Sequence, residues 1–144
     1  MLTQIIIGSD HAGFHLKETL KTWLISKGFA VEDAGCPDES SVDYPNIGKA
    51  VAKAIAENRF ERGLLICGTG IGMSITANRF KGVRAALCYD INTAKLSREH
   101  NNSNILVLGA RVLPKELAQE MLQAWLDTGF QGGRHQNRLD LIEA

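Results

Sequence analysis

The stretch GLLICGTGIGMSITAN, residues 63–78, joins an apolar run to a cysteine and a glycine-rich turn. The run Gly63–Cys67 has no alternating polar residue, which is typical of a strand that is buried on both faces of a parallel sheet. The glycines of GTGIG allow a sharp turn, and the spacing of Met73–Arg79 predicts a helix just beyond it. This strand, turn and helix indicate an α/β fold.

The same alternation continues along the chain in both directions. Further strands are predicted at Gln4–Gly8, Phe29–Asp33, Arg84–Cys88 and Asn104–Gly109. Helical spacing lies between them at 14–24, 47–55 and 91–100, and Pro114 opens another helix at a first-turn position. We therefore predict a three-layer α/β/α sandwich with a five-stranded parallel, Rossmann-like sheet in flavodoxin-like order.

Length and composition favour one domain over residues 1–144. Sixteen basic residues balance sixteen acidic ones, so no overall field favours nucleic acid or a membrane surface. The N-terminal sequence predicts neither a signal peptide nor a membrane span. Three cysteines without CxxC spacing argue against a disulfide framework or a zinc site and indicate the cytoplasm.

The last fourteen residues, QGGRHQNRLDLIEA, follow the final predicted core helix. They open with two glycines and carry Leu139 and Ile142 three positions apart. An added helix with a small apolar face usually docks on another surface. We therefore expect residues 131–144 to contact a partner subunit.

Ligands of open parallel sheets bind beyond the carboxyl ends of the strands, where the strand order reverses. In a flavodoxin-like order that crevice lies between the first and third strands. The loops there are GSDHAG (8–13) and CGTGIG (67–72), and they are also the loops richest in reactive groups. The sequence thus predicts a ligand site between these two loops.

The glycine loop presents successive backbone N–H groups beside a helix start, an arrangement that binds anions. One interpretation is a dinucleotide site. Asp90 supports it, because it lies about 20 residues after the glycine loop, where a ribose-binding acid is expected in such sites. Against it, the third glycine comes one residue early, Met73 takes its place, and the loop follows the third strand rather than the first.

Cys67 ends the central strand directly before this loop. It could be a buried core residue, as most such cysteines are. Backbone amides nearby would instead stabilise a thiolate that serves as nucleophile or general base. Cys36 and Cys88 lack this setting, and we interpret them as structural.

Other polar candidates each have a structural alternative. Asp10 follows the first strand and could cap a helix. His100 ends the fourth helix and could be its C-terminal cap. Arg134 and Arg138, four apart, share a helix face that could be merely solvated or could close on a phosphate. Arg111 follows the fifth strand.

Six blocks taken together resemble the type B ribose-5-phosphate isomerases, a family that also holds galactose-6-phosphate isomerase subunits. They are GSDHAG, DYP (43–45), ICGTGIGMSI.AN, LSREHNN, NILVLGAR and GGRHQNR. The blocks are in order and run from Ile6 to about Arg138, which is nearly the whole chain.

The resemblance implies a metal-free aldose–ketose isomerase without a cofactor that interconverts ribose 5-phosphate and ribulose 5-phosphate through an enediolate, in the non-oxidative pentose phosphate pathway. It implies that Cys67 is the general base and His100 opens the sugar ring. Some relatives use a glutamate after the third glycine; here that residue is Met73. The remaining substrate contacts that it implies are Asp10, His11, Gly68, Thr69, Gly70, Ile71, Gly72, Asn101, Arg111, Arg134 and Arg138, with Thr69 also catalytic at the enediolate oxygen.

The resemblance also implies a site shared between the subunits of a homodimer or homotetramer. Three alternatives to the pentose reaction stay open. They are an isomerase of a six-carbon phosphate such as galactose or allose 6-phosphate, a non-catalytic nucleotide-binding module, and a nicotinamide-dependent oxidoreductase.

Overall fold

The computed structural model describes residues 3–144 and shows one parallel sheet between two layers of helices. The strands are β1 (Thr3–Ser9), β2 (Phe29–Asp33), β3 (Gly63–Cys67), β4 (Ala85–Leu87) and β5 (Ile105–Gly109). The helices are α1 (Phe14–Ser26), α2 (Tyr44–Ala56), α3 (Ile71–Ala77), α4 (Ile91–Glu99), α5 (Lys115–Asp127) and α6 (Arg134–Glu143). The predicted three-layer α/β/α sandwich is confirmed.

The strand order is β2-β1-β3-β5-β4. It matches the flavodoxin-like order over the first three strands, but β5 rather than β4 lies beside β3. The strand sequences give the reason. All five residues of β5 are buried, so this apolar strand needs neighbours on both sides, whereas the three residues of β4 are half-buried and suit an edge.

The two faces of the sheet carry separate cores. Helices α1, α4 and α5 cover one face, where Leu20 and Trp125 are buried. Helices α2 and α3 cover the other, where Val51 and Met73 are fully buried. The loop after β1 therefore leads to one face and the loop after β3 to the other, which opens a crevice between these adjacent strands.

The helix ends follow the sequence signals closely. Gly28, with φ +93°, lies just beyond the end of α1, and Pro114 is the N-cap of α5, one residue before its first turn. Helix α6 folds back on its own chain, because Leu139 is buried and the carboxylate of Glu143 accepts the N–H of Gly82 at 3.3 Å. Within residues 3–144 no helix has the length and hydropathy to cross a membrane.

A buried ion pair ties α1 to the carboxyl end of β2. Lys17 is fully buried, and its Nζ donates to Asp33 Oδ2 at 2.7 Å, while the half-buried Lys21 donates to the same oxygen at 3.0 Å. Burial alone would raise the pKa of Asp33, but the hydrogen bonds from Lys17, Gly35 and Lys21 outweigh it and lower that pKa. The pair thus favours an ionised Asp33 in the folded chain.

Replacing Lys17 by methionine should destabilise the fold much more than Lys21→Met, although both remove one cation from Asp33. Losing the fully buried partner leaves Asp33 with the more exposed Lys21 as its one remaining cation among residues 3–144, and removal of this charged hydrogen bond should cost about 3 kcal/mol. Removing the more exposed partner should cost about 1 kcal/mol or less. Urea unfolding at pH 7 measures both, and equal losses would contradict a dominant role for Lys17.

The stability supplied by Asp33 should also depend on pH. Its folded-state pKa lies below the value in the unfolded chain, so the contribution is complete above about pH 5 and is lost as the pH falls through the folded-state pKa. The difference in free energy of unfolding between wild type and Lys17→Met, measured by urea unfolding, should therefore become smaller below pH 4.

Candidate active site

The sulfur of Cys67 lies at the carboxyl edge of the sheet, directly under the glycine loop. The residue ends β3 and is 5% exposed. The backbone N–H of Gly70 donates to its Sγ at 3.2 Å. Cys67 is therefore both a member of the core on this face of the sheet and a neighbour of a backbone amide in the glycine loop.

Gly70 shapes the loop because no other residue fits there. Its φ of +85° is left-handed, and a Cβ would lie 2.4 Å from Leu87 Cδ1. The following amide, of Ile71, donates to Thr69 Oγ1 at 3.2 Å. A Cβ on Gly109 would lie 2.5 Å from the carbonyl oxygen of Thr69, so β5 supports the loop from beneath.

Arg111 lies against the same loop. Its N–H donates to the carbonyl of Gly68 at 2.9 Å, and its Nη1 would lie 3.2 Å from a Cβ added to Gly68. The missing side chain of Gly68 thus leaves room for the guanidinium. Arg111 thus brings a cation against the glycine loop within one chain.

The loop after β1 borders the same crevice. Asp10 is 7% exposed; its N–H donates to the carbonyl of Ile66 at 3.2 Å and its Oδ1 accepts the N–H of Gly13 at 3.0 Å. His11 Nδ1 accepts the N–H of Val42 at 3.3 Å. Asp10 therefore organises the turn, and within residues 3–144 the other ring nitrogen of His11 has no hydrogen-bond partner.

His100 lies elsewhere in the fold. It is the C-cap of α4, and its ring stacks on that of His135 from α6, with centroids 4.3 Å apart and planes 17° apart. Burial and the neighbouring His100, Arg134 and Arg138 lower the pKa of His135. Asn101, Arg134 and Arg138 are exposed around this stack.

The two groups of residues occupy opposite edges of the sheet. Helix α4 starts after the carboxyl end of β4 and runs back toward the amino ends of the strands. Its nine residues span about 13 Å, and His100, as its C-cap, follows the end of α4 that is directed toward the amino edge. One chain brings together Asp10, His11, Cys67, the loop 68–72 and Arg111, and it keeps His100, Asn101, Arg134 and Arg138 apart from them.

Two tyrosines at the carboxyl edge were not singled out as site residues by the sequence analysis. The Tyr44 ring packs against Gly72, since a Cβ added to Gly72 would lie only 2.5 Å from the ring. Tyr89 Oη donates to the carbonyl of Thr69 at 3.1 Å. Both rings are partly exposed. The available signal was position, because Tyr89 follows the end of β4 and Tyr44 opens a helix that starts at this edge.

Asp90 has a structural task instead of the ribose contact that a dinucleotide site needs. It is the N-cap of α4, and its Oδ1 accepts the N–H of Thr93 at 2.7 Å. The hydrogen bonds from Thr93 lower the pKa of Asp90. Within residues 3–144, no three His, Cys, Asp or Glu side chains group together as ligands for a metal ion.

Comparison with known proteins decides the family. The family model described as Ribose/Galactose Isomerase matches residues 5–142. The chain belongs to this family. Ribose-5-phosphate isomerase B of Escherichia coli (strain K12) is 43% identical over 143 residues, which cover 99% of this chain and 96% of that protein.

Two further members show the range of the ribose/galactose isomerase family. The crystal structure of ribose-5-phosphate isomerase B from Mycoplasma genitalium with bound ribulose-5-phosphate is 39% identical, with a TM-score of 0.94 over 98% of this chain and 94% of that one. D-erythrulose-4-phosphate isomerase of Pectobacterium atrosepticum is 42% identical over 98% of this chain and 93% of that protein. This chain is thus similar over nearly its whole length to proteins named for substrates of different length.

Proposed function

We propose that this protein interconverts ribose 5-phosphate and ribulose 5-phosphate. The observation that carries the proposal is the buried Cys67 thiol with the Gly70 N–H directed at its sulfur, at the edge of a loop that a cation borders. An aldose–ketose isomerase needs one base and a means of stabilising an oxyanion, and this edge of the sheet offers both. The full-length similarity to an isomerase of the same substrate supports the pentose.

In the proposed mechanism the Cys67 thiolate removes the proton from one of the two carbons, C1 or C2, and returns it to the other, while one hydroxyl proton moves between O1 and O2 of the enediolate. The negative charge that forms meanwhile on the enediolate oxygen is stabilised by backbone N–H groups of residues 68–72, with Thr69 beside them. Losing one such donor typically costs about 2.7–4 kcal/mol of barrier. No metal or cofactor takes part in the proposed reaction.

We infer that the site is completed by a second copy of the chain, in a homodimer or homotetramer. His100 would open the furanose ring, Asn101 would bind the sugar, and Arg134 and Arg138 would hold the phosphate together with Arg111 of the first chain. Such a site needs the amino edge of one subunit to meet the carboxyl edge of its partner, because the two groups lie at opposite edges of the sheet within one chain.

Exposed apolar side chains on both surfaces support this assembly. On α3, Ile71 and Ile75 are 50% and 54% exposed and lie on one helix face beside the glycine loop. On α6, Leu141 and Ile142 are exposed as well. Burying these faces against each other would give the tail 131–144 the partner contact that the sequence analysis expected.

A second candidate is the same reaction on a phosphorylated sugar of another length. The relative from Pectobacterium is named for a four-carbon substrate, and the family description includes galactose. The chemistry at Cys67 would be unchanged, since it concerns only the first two carbons. Substrate length is set by the distance between Cys67 and the phosphate-binding arginines.

We expect purified protein treated with EDTA to convert ribose 5-phosphate at least tenfold more efficiently than four-carbon or six-carbon phosphates. A shorter or longer sugar cannot reach the base and the arginines together, so the binding energy of its phosphate is lost to the transition state. Comparison of kcat/KM for ribose 5-phosphate, erythrose 4-phosphate, galactose 6-phosphate and allose 6-phosphate measures this. A higher kcat/KM for a four-carbon or six-carbon phosphate would make that sugar the proposed substrate in place of ribose 5-phosphate. If none of the four sugar phosphates is converted, the proposed isomerase activity is wrong.

The cytoplasm stays the expected compartment. Its support is that all three cysteines, Cys36, Cys67 and Cys88, are free thiols and are buried. A reducing environment keeps the proposed base in its active form, because oxidation of Cys67 would remove its lone pair from proton transfer.

A further inference from the structure

The amino edge of the sheet holds a cavity of about 570 Å³ that the isomerase reaction does not use. Arg62, Arg84 and Arg98 line it, from the segments before β3 and β4 and from the last turn of α4. Asn58, Asn102 and Asn104 complete its polar wall. We call it the arginine cavity. Its volume lies in the range of small-molecule sites, about 300–1,000 Å³.

The cavity carries an excess of positive charge. Glu61 is its only acidic lining residue among residues 3–144, and in that part of the chain none of the three guanidiniums has a carboxylate within 4.0 Å. Burial, together with Arg62 and Arg84, lowers the pKa of Arg98, so the three cations are close enough to repel one another. An anion between them would relieve that repulsion.

Two of the guanidiniums are held in place by backbone carbonyls. Arg84 Nε donates to Asn102 O at 2.9 Å, and Arg98 donates through Nε to Thr128 O at 3.1 Å and through Nη1 to Ser103 O at 2.6 Å. Each keeps N–H donors to spare, since a guanidinium has five. Their orientation therefore costs little entropy when an anion binds.

Arg62 is the adaptable third cation. Its side chain makes no hydrogen bond or ion pair with any residue in 3–144, while its carbonyl accepts the N–H of Ile6 at 3.2 Å. It can therefore close on a ligand without giving up a contact in the fold. Two fixed guanidiniums and one free one suit a doubly charged oxyanion with several acceptor oxygens.

We propose that the arginine cavity binds a phosphate dianion, either inorganic phosphate or the phosphate group of a small metabolite. It is separate from the proposed catalytic phosphate contacts Arg111, Arg134 and Arg138. Arg98 and Asn102 flank His100 and Asn101 in sequence, so a bound anion would contact the same turn that carries these two proposed substrate residues.

Calorimetric titration of inorganic phosphate into an Arg134→Gln/Arg138→Gln variant tests the proposal. That background weakens phosphate binding at the catalytic contacts, and we expect about one phosphate per chain still to bind. Adding Arg62→Gln should weaken this binding about tenfold or more, because a charged hydrogen-bond donor is lost. Adding Arg59→Gln should leave it unchanged, since Arg59 lies outside the cavity and pairs with Glu57 at 3.3 Å.

Titration of adenosine monophosphate into the same proteins distinguishes the two sources of the anion. Tighter binding than inorganic phosphate, lost with Arg62→Gln, assigns the cavity to a phosphorylated metabolite; weaker binding assigns it to free phosphate. Absence of phosphate binding in the Arg134→Gln/Arg138→Gln background overturns the proposal. Equal weakening by Arg62→Gln and Arg59→Gln also overturns it, since it would indicate general attraction by surface charge. Turnover by the wild type tests the isomerase separately.

Discussion

Cys67→Ala should reduce kcat for ribose 5-phosphate by about 10²–10⁴-fold, because it removes the only group at the glycine loop that we assign to proton transfer. The KM should change little, since the phosphate and sugar contacts remain. The substitution removes one buried sulfur atom, and the fold should survive it. Single-turnover and steady-state assays of wild type and variant, with EDTA present, measure the effect.

Cys88→Ala is the matched control for this loss. Cys88 is also buried, follows β4 near the same edge, and has its Sγ 3.7 Å from the carbonyl of Ala86. Burial raises the pKa of the Cys88 thiol, so it stays protonated at neutral pH. We expect Cys88→Ala to keep nearly full kcat with a small loss of stability. Full activity of Cys67→Ala would move the base to another residue while leaving the reaction in place.

The elements of this fold could be predicted because apolar periodicity is a local property. The run Gly63–Cys67 is buried along its whole length, as its composition indicates. The order of strands in a sheet is not a local property. Here β5 rather than β4 lies beside β3, because β5 has more apolar surface to bury. A comparison of the apolar run in 105–109 with the shorter run in 85–87 contained that information, but the order of elements along the chain did not.

The residues of the candidate site likewise differ in how far the sequence could predict their positions. Residues at the end of a strand or directly after it, such as Cys67 and Asp10, could be placed at one edge from the alternation alone, because carboxyl ends of parallel strands share an edge. His100 ends a helix, and a crossover helix returns to the opposite edge. Position along the chain could place Tyr44 and Tyr89 at the carboxyl edge, but it could not predict their contacts with the glycine loop, since these depend on packing distances between separate elements.

Mixed subunits of Cys67→Ala and His100→Ala should recover activity that neither variant has alone. If each site combines Cys67 of one subunit with His100 of its partner, a mixed dimer holds one site with both residues intact and one site with both replaced. Random pairing makes half of the dimers mixed, so about a quarter of wild-type activity should return. Co-refolding the two variants in equal amounts, followed by an isomerase assay, measures this.

The controls for this recovery of activity are mixtures of two variants whose replaced residues lie at the same edge of the sheet. Cys67→Ala mixed with Thr69→Ala should regain almost nothing, because both residues belong to one loop and every site keeps one defect. His100→Ala mixed with Arg138→Ala should behave likewise at the other edge. If Cys67→Ala and His100→Ala also fail to complement, although size measurements show mixed dimers, then His100 does not act across the interface. Its role would then be the one visible within the chain, the C-cap of α4 stacked on His135.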